Sequence, residues 1–161
     1  MSMADPHTYM KRAIELSHEG SIVKKTGGPF GAVVVKEGEI VGEGYNQVLK
    51  HNDPTWHAEI HAIREACKKL GTPQLEGCDL YTSSECCAMC LSAAYWAHIR
   101  HIYYASTIQD ALHYGNFDDV AILDEIRKDP KERRITFTKI LQSEAVEVWK
   151  EFAALPDRAH Y

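Results

Sequence analysis

At 161 residues the chain suits one domain with its own hydrophobic core. Apolar residues make up 45% and charged residues 25%, and no apolar run reaches the ~18 residues of a membrane span. A formal net charge of -5 argues against a protein whose affinity rests on phosphate contacts, since such proteins carry a basic face.

The first six residues are polar and lack an apolar signal region, so a cytoplasmic address is expected. Residues 6–19 read as an amphipathic helix, capped by Asp5, with Pro6 in its first turn and Gly20 as its stop. Gly27-Gly28-Pro29-Phe30-Gly31 is a breaker cluster. The β-branched run at 32–35, a Glu37-Gly38 turn and residues 40–45 predict a hairpin, with Asn46 at its end. Asp53-Pro54-Thr55 opens a helix that runs to about Leu70 and stops at Gly71. A strand at 78–82 leads into a helix from Cys86 or Cys87 through Trp96, followed by a strand at 100–105. Helical patterns follow at 107–113 and 118–128, then a last strand at 135–140 and a last helix at 144–154. A hairpin followed by strands alternating with helices predicts an α/β fold, a three-layer α/β/α sandwich around a mixed sheet of about five strands. No repeat, low-complexity stretch or linker interrupts it, so residues 1–161 read as a single domain.

The chemistry concentrates in His57-Ala58-Glu59 and Cys87-Ala88-Met89-Cys90. Five cysteines in a presumed reducing compartment argue against a disulfide framework, and three of them, Cys86, Cys87 and Cys90, lie together. A Cys-x-x-Cys at a helix start puts two sulfurs on one turn, where backbone N–H groups and the helix dipole favour thiolate. Two thiolates and the His57 imidazole give zinc three protein ligands and leave the fourth tetrahedral position open to water, as in catalytic sites. The metal lowers the pKa of that water toward ~7. Glu59 is then the proton shuttle between the water, the ring nitrogen and the leaving amine. Residues two apart on a regular helix point about 200° apart, so His57 and Glu59 share a site only if His57 sits in an irregular first turn.

Other readings of these residues exist. A structural zinc site needs a fourth protein ligand, for which Cys86 or His61 is available. A thioredoxin-like redox pair leaves His57-x-Glu59 unexplained. Burial as ordinary core residues fits Cys67 and Cys78 better than the His-Glu-Cys-Cys set. Without a resemblance to draw on, Asn46 could be a turn residue, Phe30, Trp96 and Phe117 core aromatics, and Asp118 or Asp119 a helix cap.

His-x-Glu followed by Cys-x-x-Cys is the zinc deaminase signature. Together with Gly28-Pro29-Phe30-Gly31-Ala32, Gly44-Tyr45-Asn46 and Asp53-Pro54-Thr55 in order, it makes the chain resemble the zinc-dependent cytidine/deoxycytidylate deaminases from about residue 5 to the end. Within them it is most similar to the bacterial guanine deaminases, through Gly27 to Ala32, Tyr95-Trp96-Ala97, Phe117-Asp118-Asp119 and the terminal Tyr161. The resemblance implies the cytidine deaminase-like fold, one Zn2+ per chain and hydrolytic deamination of a free nucleobase, guanine foremost. It implies that Asn46 and Asp119 hydrogen-bond the purine, with Ala58 among the substrate contacts. Phe30, Trp96 and Phe117 then wall the ring, and Tyr161 closes the pocket. It also implies a homodimer in which the C-terminal segment, about 143–161, is exchanged between subunits. Two departures stand out: Cys86 replaces the family's Pro before the first ligand cysteine, and Trp56 replaces Ala before His57. A tRNA-adenosine deaminase, a deaminase of another aminated ring (cytosine, a guanine nucleoside, a pterin, an amino-triazine) and a non-catalytic zinc protein are the competing functions. The acidic balance speaks against the tRNA substrate, and Glu59 against the non-catalytic protein.

Overall fold

The computed structural model describes residues 5–161; the polar start at 1–4 lies outside them. The chain divides into two compact units, one reaching to Val120 and the other Ala121–Tyr161.

In the first unit, α1 (Pro6–His18) begins where expected, with the Asp5 carboxylate accepting the His7 N–H. The chain then passes Gly20 in a π-helical turn, Glu19–Val23, rather than stopping there. Strands β1 (Gly31–Lys36) and β2 (Glu39–Tyr45) form the predicted hairpin. Its two turn residues, Glu37 and Gly38, both have positive φ, the conformation a tight two-residue hairpin demands. A short α2 (Val48–His51), absent from the sequence reading, precedes α3 (Ala58–Leu70), which ends on Gly71 in the left-handed region. Strand β3 (Cys78–Ser84), α4 (Ala88–Trp96), β4 (His101–Ser106) and α5 (Ile108–Gly115) follow. The sheet order is β2-β1-β3-β4; β1 is antiparallel to both neighbours, while β3 and β4 are parallel, so the sheet is mixed.

The alternation along β1 builds two cores. Ala32 and Val34 face Ala58, Ala62 and Ala66 of α3, whereas Val33 and Val35 face Tyr9 and Leu16 of α1. Helices therefore cover both faces, which is the expected three-layer arrangement. The approach of α3 to the sheet is unusually close. A Cβ added to Gly44 of β2 would meet the Ala58 carbonyl oxygen at 2.5 Å and Ala62 N at 2.6 Å. Glycine on the strand and alanine on the helix thus set the depth at which the N-terminus of α3 sits over the sheet.

The second unit carries most of α6 (Asp119–Arg127), a 3-10 turn at Pro130–Glu132 and α7 (Gln142–Ala154). Residues 125–134 are tied locally: Glu125 pairs with Lys128 and accepts the Arg134 N–H at 2.8 Å. The expected strand at 135–140 is not formed, and the sheet has four strands among the described residues rather than about five. Ile135 and Phe137 are exposed, and among the described residues no strand pairs with this segment. A period-2 pattern becomes a strand only where such a partner exists.

Candidate active site

Two helix starts create the site. Asp53 folds the chain before α3 by accepting the Thr55 N–H and hydroxyl, and Pro54 lies in that turn. The helix begins at Ala58, five residues later than Asp53. His57 is consequently the N-cap, with extended backbone (φ -74°, ψ 159°). That removes the 3.6-residue geometry that would otherwise turn His57 and Glu59 apart. Cys87 repeats the arrangement as the N-cap of α4 (φ -68°, ψ 170°), with Cys90 in the first turn of the helix.

The ligand atoms converge. His57 Nδ1 lies 3.5 Å from Cys87 Sγ and 3.5 Å from Cys90 Sγ. Zinc bonds of about 2.3 Å to sulfur and 2.0–2.1 Å to nitrogen, at tetrahedral angles, separate N from S by roughly 3.5 Å. The cradle therefore fits zinc. Cys87 is held as thiolate, down to about 4, first by the Cys90 S–H hydrogen bond and then by His57. Cys90, as the donor in that pair, is pushed up, and its burial adds to the effect. The hydrogen bond to Cys87 also raises His57, against the effect of burial. Among the described residues, His57, Cys87 and Cys90 make the metal-binding group without a fourth protein donor. The two candidate fourth ligands are occupied otherwise. Cys86 packs against the α3-side core, and burial pushes its thiol well up. His61 Nδ1 faces Gln47 Nε2 at 3.4 Å, and its ring lies against Trp56.

Glu59 is 3% exposed. Its Oε1 accepts from the Thr82 hydroxyl at 3.0 Å, and its Oε2 lies 3.4 Å from Cys90 Sγ. Burial raises its pKa, which suits a carboxyl that must both take and give a proton near neutrality.

A cleft opens beside this group, lined by His57, Glu59, Cys87 and, around them, Asn46, Phe30, Phe117 and Asp119. Asn46 is buried, and its Oδ1 accepts the Val48 N–H at 3.1 Å. Only an oxygen can accept there, so the two amide donors sit on the other atom. Phe30 and Phe117 meet edge-to-face at 5.1 Å. Burial and the nearby Cys87 raise the pKa of Asp119.

Ala58, Trp96 and Tyr161 are the remaining expected contacts. Ala58 is fully buried in the α3-side core. Trp96, the last residue of α4, is 68% exposed, and Tyr161 in the second unit is 66% exposed. Trp56 stacks on His51 at 4.0 Å under Arg64, outside the cleft lining. Two residues had no place in the sequence reading. Thr82 holds Glu59, and Glu85 lines the cleft while accepting the Ile108 N–H at 3.2 Å. Glu85 stands two residues before Cys87, a position that could have drawn attention; Thr82, an ordinary strand residue, gives no signal of its own.

Comparison with known proteins agrees with this geometry. Residues 3–106 match the model of the cytidine and deoxycytidylate deaminase zinc-binding region. A guanine deaminase of Bacillus subtilis is 49% identical over 149 residues, covering 91% of this chain and 94% of that protein. A tRNA-specific adenosine deaminase of Aquifex aeolicus is 40% identical over 124 residues, 77% of this chain and 79% of that one. The X-ray structure of guanine deaminase from Bacillus subtilis superposes with a TM-score of 0.92 at 45% identity, covering 98% of this chain and 99% of the other. A zinc cradle of His57, Cys87 and Cys90 beside a buried glutamate, on this fold and with these relatives, makes the chain a member of the cytidine and deoxycytidylate deaminase zinc-binding family, with one zinc per chain.

Proposed function

We propose that the chain hydrolyses guanine to xanthine and ammonia. The observation that carries this reading is the buried Glu59 carboxylate between the zinc cradle and a cleft walled by two phenylalanines. Zinc in the cradle supplies the Lewis acidity that makes water a hydroxide-like nucleophile near pH 7. The chain's own residues do the rest. Glu59 takes a proton from the attacking water and passes it to the ring nitrogen. Once the C–O bond has formed, Glu59 takes the second proton, from the hydroxyl now on the ring carbon, and gives it to the amine as the C–N bond breaks, so that ammonia leaves and the oxygen stays as the carbonyl of xanthine. Asn46 presents its amide donors to the acceptors of the purine edge, and Asp119 accepts from ring N–H groups. A ring without the matching N–H would leave a partly buried carboxylate unsatisfied, which is the basis for rejecting it. Phe30 and Phe117, packed edge-to-face on each other, give the purine ring an apolar wall.

The reading extends to a cytoplasmic homodimer that exchanges the segment from about residue 143. Every described residue of 121–161 is exposed or half-exposed, and α7 shows Val148 and Trp149 to solvent. A 41-residue unit with no buried residue gains its apolar contacts from another surface. Trp96 and Tyr161 then join the substrate pocket through the assembled dimer. Among the described residues no helix is long and apolar enough to cross a membrane.

The test is ammonia release from guanine, cytosine, adenosine, a pterin and an amino-triazine by zinc-loaded protein, beside a Glu59→Ala control. Guanine is expected to be the preferred substrate, with turnover lost in the control. Preference for another ring would move the substrate, and no turnover with zinc bound would overturn the reading.

A further inference from the structure

Gly27 and Gly28 occupy what reads in sequence as a turn, yet neither adopts the left-handed conformation that makes glycine necessary in turns. Among the described residues the glycines with positive φ are Gly38, Gly71 and Gly77. What Gly27 and Gly28 lack is room. A Cβ on Gly28 would stand 2.7 Å from Phe30 Cε2 and 2.8 Å from Phe117 Cζ. A Cβ on Gly27 would fall on the Asn46 side-chain oxygen, with Asn46 Cγ at 2.7 Å. Gly115, at the end of α5, repeats the pattern: its Cβ would be 2.7 Å from Phe117 Cδ2. All three residues so crowded, Phe30, Phe117 and Asn46, line the cleft.

We propose that Gly27, Gly28 and Gly115 are positioning residues that mould the substrate slot. Gly28 is the floor on which both rings rest, Gly115 backs the Phe117 ring, and Gly27 makes the space in which Asn46 turns its amide toward the ligand. A methyl group at Gly28 levers Phe30 and Phe117 off their seat and changes the width of the slot for a planar ring. The zinc ligands and Glu59 lie on other elements and are not pressed. The inference rests on the reading of the cleft as a purine site.

The test compares Gly28→Ala, Gly115→Ala and the double variant Gly28→Ala/Phe117→Leu with the parent enzymes. Misplacing a substrate-holding group by about 1 Å can cost up to ~100-fold, so KM for guanine is expected to rise at least about tenfold in Gly28→Ala. Zinc content should stay at one per chain, and relative activity across purine analogues should shift. In the Phe117→Leu background the penalty should shrink, because the shorter side chain relieves the clash. Gly115→Ala, which presses on Phe117 alone, should shift KM in the same direction. Unchanged KM and preference, or an equal loss in the Phe117→Leu background, would overturn the inference. Should the parent protein turn over no purine at all, the proposed function falls while this inference is decided crystallographically: displaced rings in Gly28→Ala support it, and unmoved rings refute it.

Discussion

At the residue scale, Glu59 is a carboxyl removed from water and given two contacts, Thr82 and Cys90. Removing the carboxylate while keeping its shape, in Glu59→Gln, should lower kcat by about 100- to 10,000-fold, the usual worth of a general acid–base. Zinc content should be unchanged, so metal analysis separates lost chemistry from lost metal. Thr82→Val removes the hydroxyl that orients Glu59, and kcat should fall by about tenfold with little change in KM. The ligand set also dictates a pH response. Cys87 stays anionic across the neutral range, whereas His57 and Cys90 bind protons more tightly than usual. Zinc must displace those protons, so acidification through the raised His57 range should release metal, and retention should recover as pH rises. Measuring bound zinc after equilibration at stepped pH checks this; retention that improves on acidification would contradict it.

At the element scale, the position of the site depends on how far α3 sinks onto β2. Gly44→Val would drive a branched side chain into the Ala58 carbonyl and the Ala62 amide, both backbone groups that cannot rotate away. A loss of about 1–3 kcal/mol or more is expected, together with weakened zinc binding because His57 caps that helix. Thermal melts with and without zinc measure both. Much at this scale was legible in the chain. The Glu37-Gly38 turn, the Gly71 stop and the two ligand motifs at helix starts each carry a local chemical reason that no distant contact overrides. The helix expected from Asp53 starts at Ala58 because the Asx turn at Asp53 uses the local N–H groups first. Thr82, the space needed around Asn46 and the seat of the two rings could not be read, since they depend on which residues meet across β3, α3 and the loop at Gly28. The expected strand at 135–140 failed for a related reason: alternation states what a segment can pair with, and pairing needs an edge.

At the scale of the whole molecule, the chain carries a well-packed unit up to Val120 and a C-terminal unit without a buried residue. The proposed segment exchange makes a prediction about mixed subunits. Glu59→Gln and a variant lacking Tyr161 should each be weak alone. Dissociated and reassembled together, they should regain activity, because the tail of one serves the intact Glu59 of the other. No recovery in a dimer shown to be mixed would contradict an exchanged tail that completes the pocket. Hydrolytic deamination of guanine by the cradle and Glu59 can be followed in one turnover experiment in 18O-labelled water. Xanthine should carry one labelled oxygen for each ammonia released. Unlabelled product, or no xanthine from protein holding one zinc per chain, would contradict it.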